Sequence, residues 1–291
     1  MKLIWYPANG DPETTFQAGT AYYLTALYKG FTETDITHQT VKGPDQDGST
    51  YLGSPFGDRE LSFEFVYVAD TLQDLLNAQR DIVTMFDPDE DGPGTLVWEQ
   101  EDGTKFLIYA VANPGATSMP GSGNRTNTTQ RYTVNLIAHD PFWYSGVVHR
   151  ADFESEEVPM FPFDFPWDFT GANAPLQTLV NAGSHRVPVY ILFTGPITNP
   201  SLENGRISKS VGLALDILDG ESVEIYTAQD ERYAIYHALA GDVSAFPYLD
   251  YDVNLSDFVL KPGNNICELT ALASGTGASV TVQWRDRYSG V

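Results

Sequence analysis

One cysteine, Cys267, stands in 291 residues, so no disulfide framework can form within the chain and the fold does not depend on oxidation. Basic residues are scarce: 16 Lys and Arg against 39 Asp and Glu give a formal net charge of −23. That sign of surface repels nucleic acid and anionic lipid, which excludes a nucleic-acid-binding role and favours solubility. Long apolar runs are missing. The stretch Val189-Tyr190-Ile191-Leu192-Phe193 is among the longest, far short of a membrane span, so no membrane insertion is expected. The opening residues Met1-Lys2-Leu3-Ile4-Trp5-Tyr6 are stopped by Pro7 before a signal peptide could be built, and synthesis in the cytoplasm is the expectation.

Chemistry-bearing patterns are missing as well. The five histidines, His38, His139, His149, His185 and His237, form no closely spaced pair and have no cysteine set beside them, which argues against zinc. No G-x-S-x-G elbow occurs. Gly121-Ser122-Gly123 lacks a strand-to-helix setting and a following lysine, so it is no phosphate cradle. Asp87-Pro88-Asp89-Glu90-Asp91-Gly92 spells the first half of an EF-hand loop, yet Trp98 stands where the bidentate acid belongs and a strand pattern follows. It reads as a solvated acidic turn. Acids are too plentiful for any pair to mark a glycosidase. The sequence therefore yields no catalytic, cofactor-binding or metal-binding residue, and the expectation is a protein that is not an enzyme.

What is present is a chain 42% hydrophobic and 13% aromatic, long enough for two cores. Residues 59–68 alternate cleanly, with Leu61, Phe63, Phe65 and Tyr67 on one face. Residues 131–138 do the same with Tyr132, Val134, Leu136 and Ala138, and run into Asp140-Pro141-Phe142-Trp143-Tyr144, read as a buried corner. One helix is predicted after Asp70 or Thr71, with Gln73 three residues after Asp70 as in a capping box. Its expected apolar stripe is Leu72, Leu75, Leu76, Gln79, Val83 and Phe86, and Asp87-Pro88 ends it. Glu101-Asp102-Gly103 is a hairpin turn between strands at 95–100 and 105–112. Residues 113–130 read as a long polar loop, a binding arm or a disordered tip.

From Leu176 onward short strands follow one another with turn signals, about eight of them, enough for a jelly-roll or galectin-like sandwich. The expected organisation is a mainly β chain: an N-terminal β-sandwich or split-barrel-like domain with one helix over 1–148, a Pro- and aromatic-rich linker over 149–175, and a sandwich over 176–291. The linker holds Phe161-Pro162-Phe163-Asp164-Phe165-Pro166-Trp167, too aromatic to be a free tether.

Motif order carries a family resemblance. Tyr51-Leu52-Gly53-Ser54, Arg59-Glu60-Leu61-Ser62-Phe63, Met85-Phe86-Asp87-Pro88 and Ala138-His139-Asp140-Pro141-Phe142-Trp143 come first. Asn181-Ala182-Gly183, Gly195-Pro196-Ile197-Thr198-Asn199-Pro200, Asp219-Gly220-Glu221, Leu260-Lys261-Pro262-Gly263-Asn264-Asn265 and Val282-Gln283-Trp284-Arg285-Asp286-Arg287-Tyr288-Ser289-Gly290-Val291 follow. This series resembles the distal tail protein (Dit) family of siphovirus-type bacteriophages. The resemblance implies a tail-tube-like N-terminal domain and a galectin-like C-terminal domain. It also implies a hexameric ring joining the tail tube protein to the tail-associated hub protein and often carrying receptor-binding proteins, assembled in the host cytoplasm and resident in the virion. A second reading is a carbohydrate-binding adhesin, with residues 176–291 as a lectin-like module for host-surface glycans.

Overall fold

The structure is a computed structural model, and it describes residues 1–87, 92–119, 121, 123–154, 175–229, 231–271, 273–275 and 277–291. The acidic turn after Asp87 and the Pro- and aromatic-rich stretch after Glu154 lie outside the described residues. The chain divides into two compact units, Met1–Gly146 with Tyr288–Val291, and Val147–Arg287.

Unit 1 contains β1 (Lys2–Tyr6), β2 (Thr14–Phe16), β3 (Tyr22–Lys29), β4 (Gln39–Val41), β5 (Thr50–Gly53), β6 (Arg59–Val68), α1 (Leu72–Met85), β7 (Gly94–Glu99), β8 (Lys105–Ser118), β9 (Thr129–Ala138) and β10 (Trp143–Ser145). The main sheet runs β2-β1-β7-β8-β9-β6-β3. Its longest pairing is that of β6 with β9, in register from Arg59 opposite Ala138 to Val68 opposite Thr129. The alternation read from the sequence is what buries: Leu61, Phe63 and Phe65 from β6 meet Tyr132, Val134 and Leu136 from β9 in one core, joined by Phe16, Leu96, Trp98 and Trp143. Burying side chains of this size contributes about 1.5–3 kcal/mol each.

The long polar loop expected over 113–130 is strand at both of its ends, over 113–118 and 129–130. β8 continues to Ser118, and its register with β9 shifts between Ala112 and Gly115. Asn113-Pro114-Gly115 spells a turn, but here it forms a bulge, where a proline without an N–H and a glycine at φ 83° are both tolerated. Only residues 119–128 remain as connection.

α1 starts at Thr71, whose hydroxyl accepts the Asp74 N–H at 3.2 Å while Asp74 reaches back to it. The cap is therefore one residue later than an Asp70–Gln73 box. Its buried face is also different from the expected stripe: Leu75, Ala78 and Ile82 turn inward, with Phe86 at the end, whereas Leu72, Leu76 and Val83 stay exposed. Small Ala78 sets the face, because it lets the helix axis come close to the sheet. Thr71→Ala is expected to destabilise unit 1 by about 1 kcal/mol in urea unfolding, with the slope unchanged.

Unit 2 contains β11 (His149–Glu154), β12 (Leu176–Asn181), β13 (Val187–Pro188), β14 (Tyr190–Thr194), β15 (Ile197–Thr198), β16 (Ser201–Asn204), β17 (Lys209–Gly212), β18 (Asp216–Ile217), β19 (Ser222–Tyr226), β20 (Tyr233–Ala238), β21 (Gly241–Ser244), β22 (Val259–Leu260), β23 (Gly263–Thr270), β24 (Ala273–Ser274) and β25 (Ser279–Trp284). The two larger sheets run β11-β25-β14-β19-β20-β21 and β12-β23-β16-β17, with smaller ones at β13-β22 and β18-β15-β24. Ile191, Phe193, Val223, Val280 and Val282 from the first and Leu202, Val211, Cys267 and Leu269 from the second fill a single core. The expected strand at 187–193 is two strands in two sheets. Val187 pairs with Leu260, and from Tyr190 the chain pairs with β19 and β25.

β11 falls at the head of the segment expected as linker. Its acids hid a strand that pairs with β25 and puts Phe153 in the core. The chain then re-enters unit 1 at β26 (Arg287–Tyr288), which pairs with β10. Among the described residues the fold is mainly β with one α-helix.

Candidate assembly surfaces

The surfaces of unit 1 are positioned by one buried cation. Arg59, at 1% exposure, opens β6. Its guanidinium donates to the carbonyls of Gly30 at 2.7 Å, Glu33 at 2.6 Å and Pro141 at 2.6 Å. It also donates to the Thr34 hydroxyl and the Ser289 carbonyl. Four chain segments are thereby tied at one point: the end of β3, the residues after it, the Asp140-Pro141 corner and the tail after β26. Burial pushes the Arg59 guanidinium down to about 10, against the pull of Asp35, Asp140 and Glu33, so the group stays charged at neutral pH. Gly30 sits at φ 84°, and a Cβ there would lie 2.1 Å from the Glu60 carbonyl oxygen, so the position is restricted to glycine. Trp143 completes the corner, fully buried between Phe31 and Trp98, with ring centroids 5.8 and 5.9 Å away.

From this point residues 35–57 leave the core as an arm. Ile36 bridges Phe56, and β4 pairs with β5 beyond it. The hairpin is exposed along its length and carries Val41, Tyr51 and Leu52, the last at 64% exposure. An isolated two-stranded hairpin is marginal in water, and contiguous exposed apolar side chains mark a contact surface. The outward side of α1, with Leu72, Leu76 and Val83, and the edge strand β3, with Tyr23 and Tyr28, add two further apolar surfaces to the same unit.

The titratable groups of unit 2 act within the sheet. The Glu221 carboxylate accepts from the Tyr236 hydroxyl and from the N–H groups of Leu239 and Leu218, which hold its pKa below the usual range. Glu224 accepts from Tyr233 at 2.7 Å and lies 3.2 Å from His237, whose other ring nitrogen is 2.8 Å from Asp242. Hydrogen bonding to Asp242, then to Glu224, raises the His237 pKa. These contacts cross-link β19, β20 and β21. The remaining histidines lie apart: His38 beside Ser54, His139 beside Asp58, His149 beside Asp286, and His185 in a site where burial lowers its pKa. Among the described residues no three His, Cys, Asp or Glu side chains gather to hold a metal. Cys267 is buried in the core, and burial pushes its thiol up to about 12, the opposite of what a nucleophile needs.

Sequence reasoning missed Arg59, because a charged residue before an alternating strand reads as surface. The signal available was the proline corner at Asp140-Pro141, whose carbonyl needed a donor.

Unit 1 thus sets one helix and one exposed arm on a β-sheet. Residues 23–138 match the family model of the phage tail protein RIFT-related domain. The match runs from β3 to the end of β9, within unit 1. No curated protein matches the chain in sequence. The whole chain is similar in structure to the Dit (gp 19.1) protein of phage SPP1, described as a paradigm of hub adsorption apparatus in phages infecting Gram-positive hosts. The TM-score is 0.63 at 15% identity, over 91% of this chain and 93% of that one. A chain of the phage P2 baseplate in its activated conformation with Ca gives 0.58 at 9% identity, over 100% and 99% of the two chains. The corresponding p2 baseplate with Sr gives 0.57 at 8%, over 100% of both. At such identities the likeness is one of fold. The chain has the fold of these distal tail and baseplate proteins, and its residues 23–138 match a phage tail domain.

Proposed function

We propose that this chain is a structural, non-enzymatic component of a siphovirus tail tip, in which unit 1 closes into a six-membered ring. The tail tube protein meets one face of the ring and the tail-associated hub protein the other. Unit 2, a galectin-like sandwich in this reading, faces outward toward receptor-binding proteins. The chain is made in the host cytoplasm and resides in the virion. The observation that carries the reading is the coincidence of a tail-domain match at 23–138 with a likeness to SPP1 Dit along nearly the whole chain. The exposed arm supports it, since a ring covers hairpins and sheet edges that a monomer leaves open.

Native mass spectrometry across a concentration series, with negative-stain images, tests the reading. A species of six 32.1 kDa chains with a central hole is expected. Changing Tyr51 and Leu52 together to Asp is expected to return the protein to monomers with an unchanged thermal midpoint, because both side chains are exposed. A wild-type protein that stays monomeric at every concentration, alone and with its tube and hub partners, would sink the ring.

A further inference from the structure

Unit 2 ends its six-stranded sheet at β21, which pairs with β20 from Ala238 opposite Gly241 to Ile235 opposite Ser244. Among the described residues nothing pairs with its other side. All four residues of β21 are exposed. Proteins normally blunt such an edge with charge (Lys above all), Pro, a bulge or shortness; β21 is short and carries Asp242, but it has neither Lys, Pro nor a bulge.

Two further observations concern the same edge. The first is an uncovered apolar border. Val243 lies opposite Tyr236, whose side chain packs on the core, so Val243 shares the core-side face, yet it stands 49% exposed. Phe246 just beyond it is equally exposed, Leu239 in the turn before it is 76% exposed, and Tyr251 is fully exposed. The second is charge. Residues 216–257, which contain β18 through β21, carry ten Asp or Glu and one Lys or Arg, Arg232. Asp242 is in β21 itself, and its partner His237 already shares Glu224.

We infer that β21 is a strand-addition site for an extended segment of a partner protein, one that alternates apolar with basic residues. The open backbone specifies an extended peptide, since a β-edge pairs with one main chain in that conformation. The border of Val243, Phe246 and Leu239 takes its apolar side chains. The acidic stretch around it favours Lys and Arg on the alternate positions and disfavours pairing of this edge with its own copy, which would bring a second Asp242 to it. The inference goes beyond the ring and stands whether or not the ring forms.

The test uses the full chain and a short peptide of alternating valine and lysine. Controls are the same peptide with a central proline and one alternating valine with glutamate. In the free protein the outward amides of residues 241–244 are expected to exchange fast, and the Val/Lys peptide to slow them. The proline and glutamate peptides are expected not to. Binding should weaken steeply as salt rises from about 0.05 to about 0.5 M. Val243→Lys, an exposed change that leaves the fold intact, is expected to weaken binding about tenfold or more by placing a like charge at the edge. Amides already protected in the free chain would overturn the inference, since another segment of the chain would then hold the edge. So would a concentration-dependent dimer abolished by Val243→Lys, binding by the Val/Glu peptide as strong as by Val/Lys, or no binding of the Val/Lys peptide at all.

Discussion

Arg59→Met is expected to lower the stability of unit 1 by about 3–5 kcal/mol, more than the loss of any single surface contact. Methionine keeps the length and apolar bulk of the side chain, so little of the effect would come from a cavity. The loss comes from acceptors left behind: the Gly30, Glu33, Pro141 and Ser289 carbonyls and the Thr34 hydroxyl all receive donors from one guanidinium. Each buried polar group stranded in this way costs about 1–3 kcal/mol, and relaxation toward water recovers part of the sum. Urea unfolding followed by tryptophan fluorescence measures the total. Hydrogen exchange localises it, because the tail amide of Val291, bonded to the Phe31 carbonyl at 3.4 Å, is expected to lose protection first. Arg59→Lys should recover only part of the loss, since an ammonium cannot span the fork. A shift under about 1 kcal/mol in the Met variant would show that the carbonyls find other donors.

Asn265→Leu is expected to cost unit 2 a similar amount, about 3–5 kcal/mol. Asn265 is fully buried on β23. Its amide nitrogen donates to the carbonyls of Lys261 at 2.7 Å, Gly263 at 2.9 Å and Leu179 at 3.4 Å. Its amide oxygen accepts the Lys261 N–H at 2.9 Å and the Asn204 amide at 3.3 Å. One side chain thereby fixes the turn into β23, the flanking strand β12 and, through Asn204, strand β16. Leucine has nearly the same volume and supplies no partner to any of these groups. Asn204 and Asn181 are as deeply buried and do comparable work, the first toward Val259 and the second toward His185 and Leu260. Thermal unfolding should show the Leu variant losing unit 2 well before wild type. An unchanged midpoint would mean that the network contributes specificity and no stability.

The contrast between these residues and the strands around them explains how much was legible in advance. β6 and β9 could be read because each is long and half-buried, so burial imposes a period of two on the sequence. The helix could be read, but its face was misplaced, since large Leu72, Leu76 and Val83 outweighed small Ala78 in a pattern judged by hydrophobicity. The longer strands of unit 2 could be read as a run of short strands with turn signals between them, but a two-residue strand such as β15 or β18 has no period at all and stayed hidden. Asn204 and Asn265 sit in Asn-Gly and Gly-Asn-Asn spellings that chemistry assigns to turns, and only tertiary structure brings carbonyls from distant strands to them. The same limit hid Arg59. A buried polar residue is defined by its partners, which local sequence does not contain. The open edge at β21 was unreadable too, because which strand ends a sheet is a property of topology.

The chain leaves unit 1 after Gly146 and comes back at Tyr288. β10 and β26, the outgoing and returning strands, pair with each other, so the exit and the re-entry lie side by side. In chain terms unit 2 is a cassette inserted between two paired strands of the other unit, and Ser289, just past the return, meets Arg59. An insertion whose two ends leave and return at neighbouring strands can diverge, lengthen or be exchanged without rerouting the chain around it, so sequence drift is expected to concentrate in residues 147–287 and to spare β10 and β26.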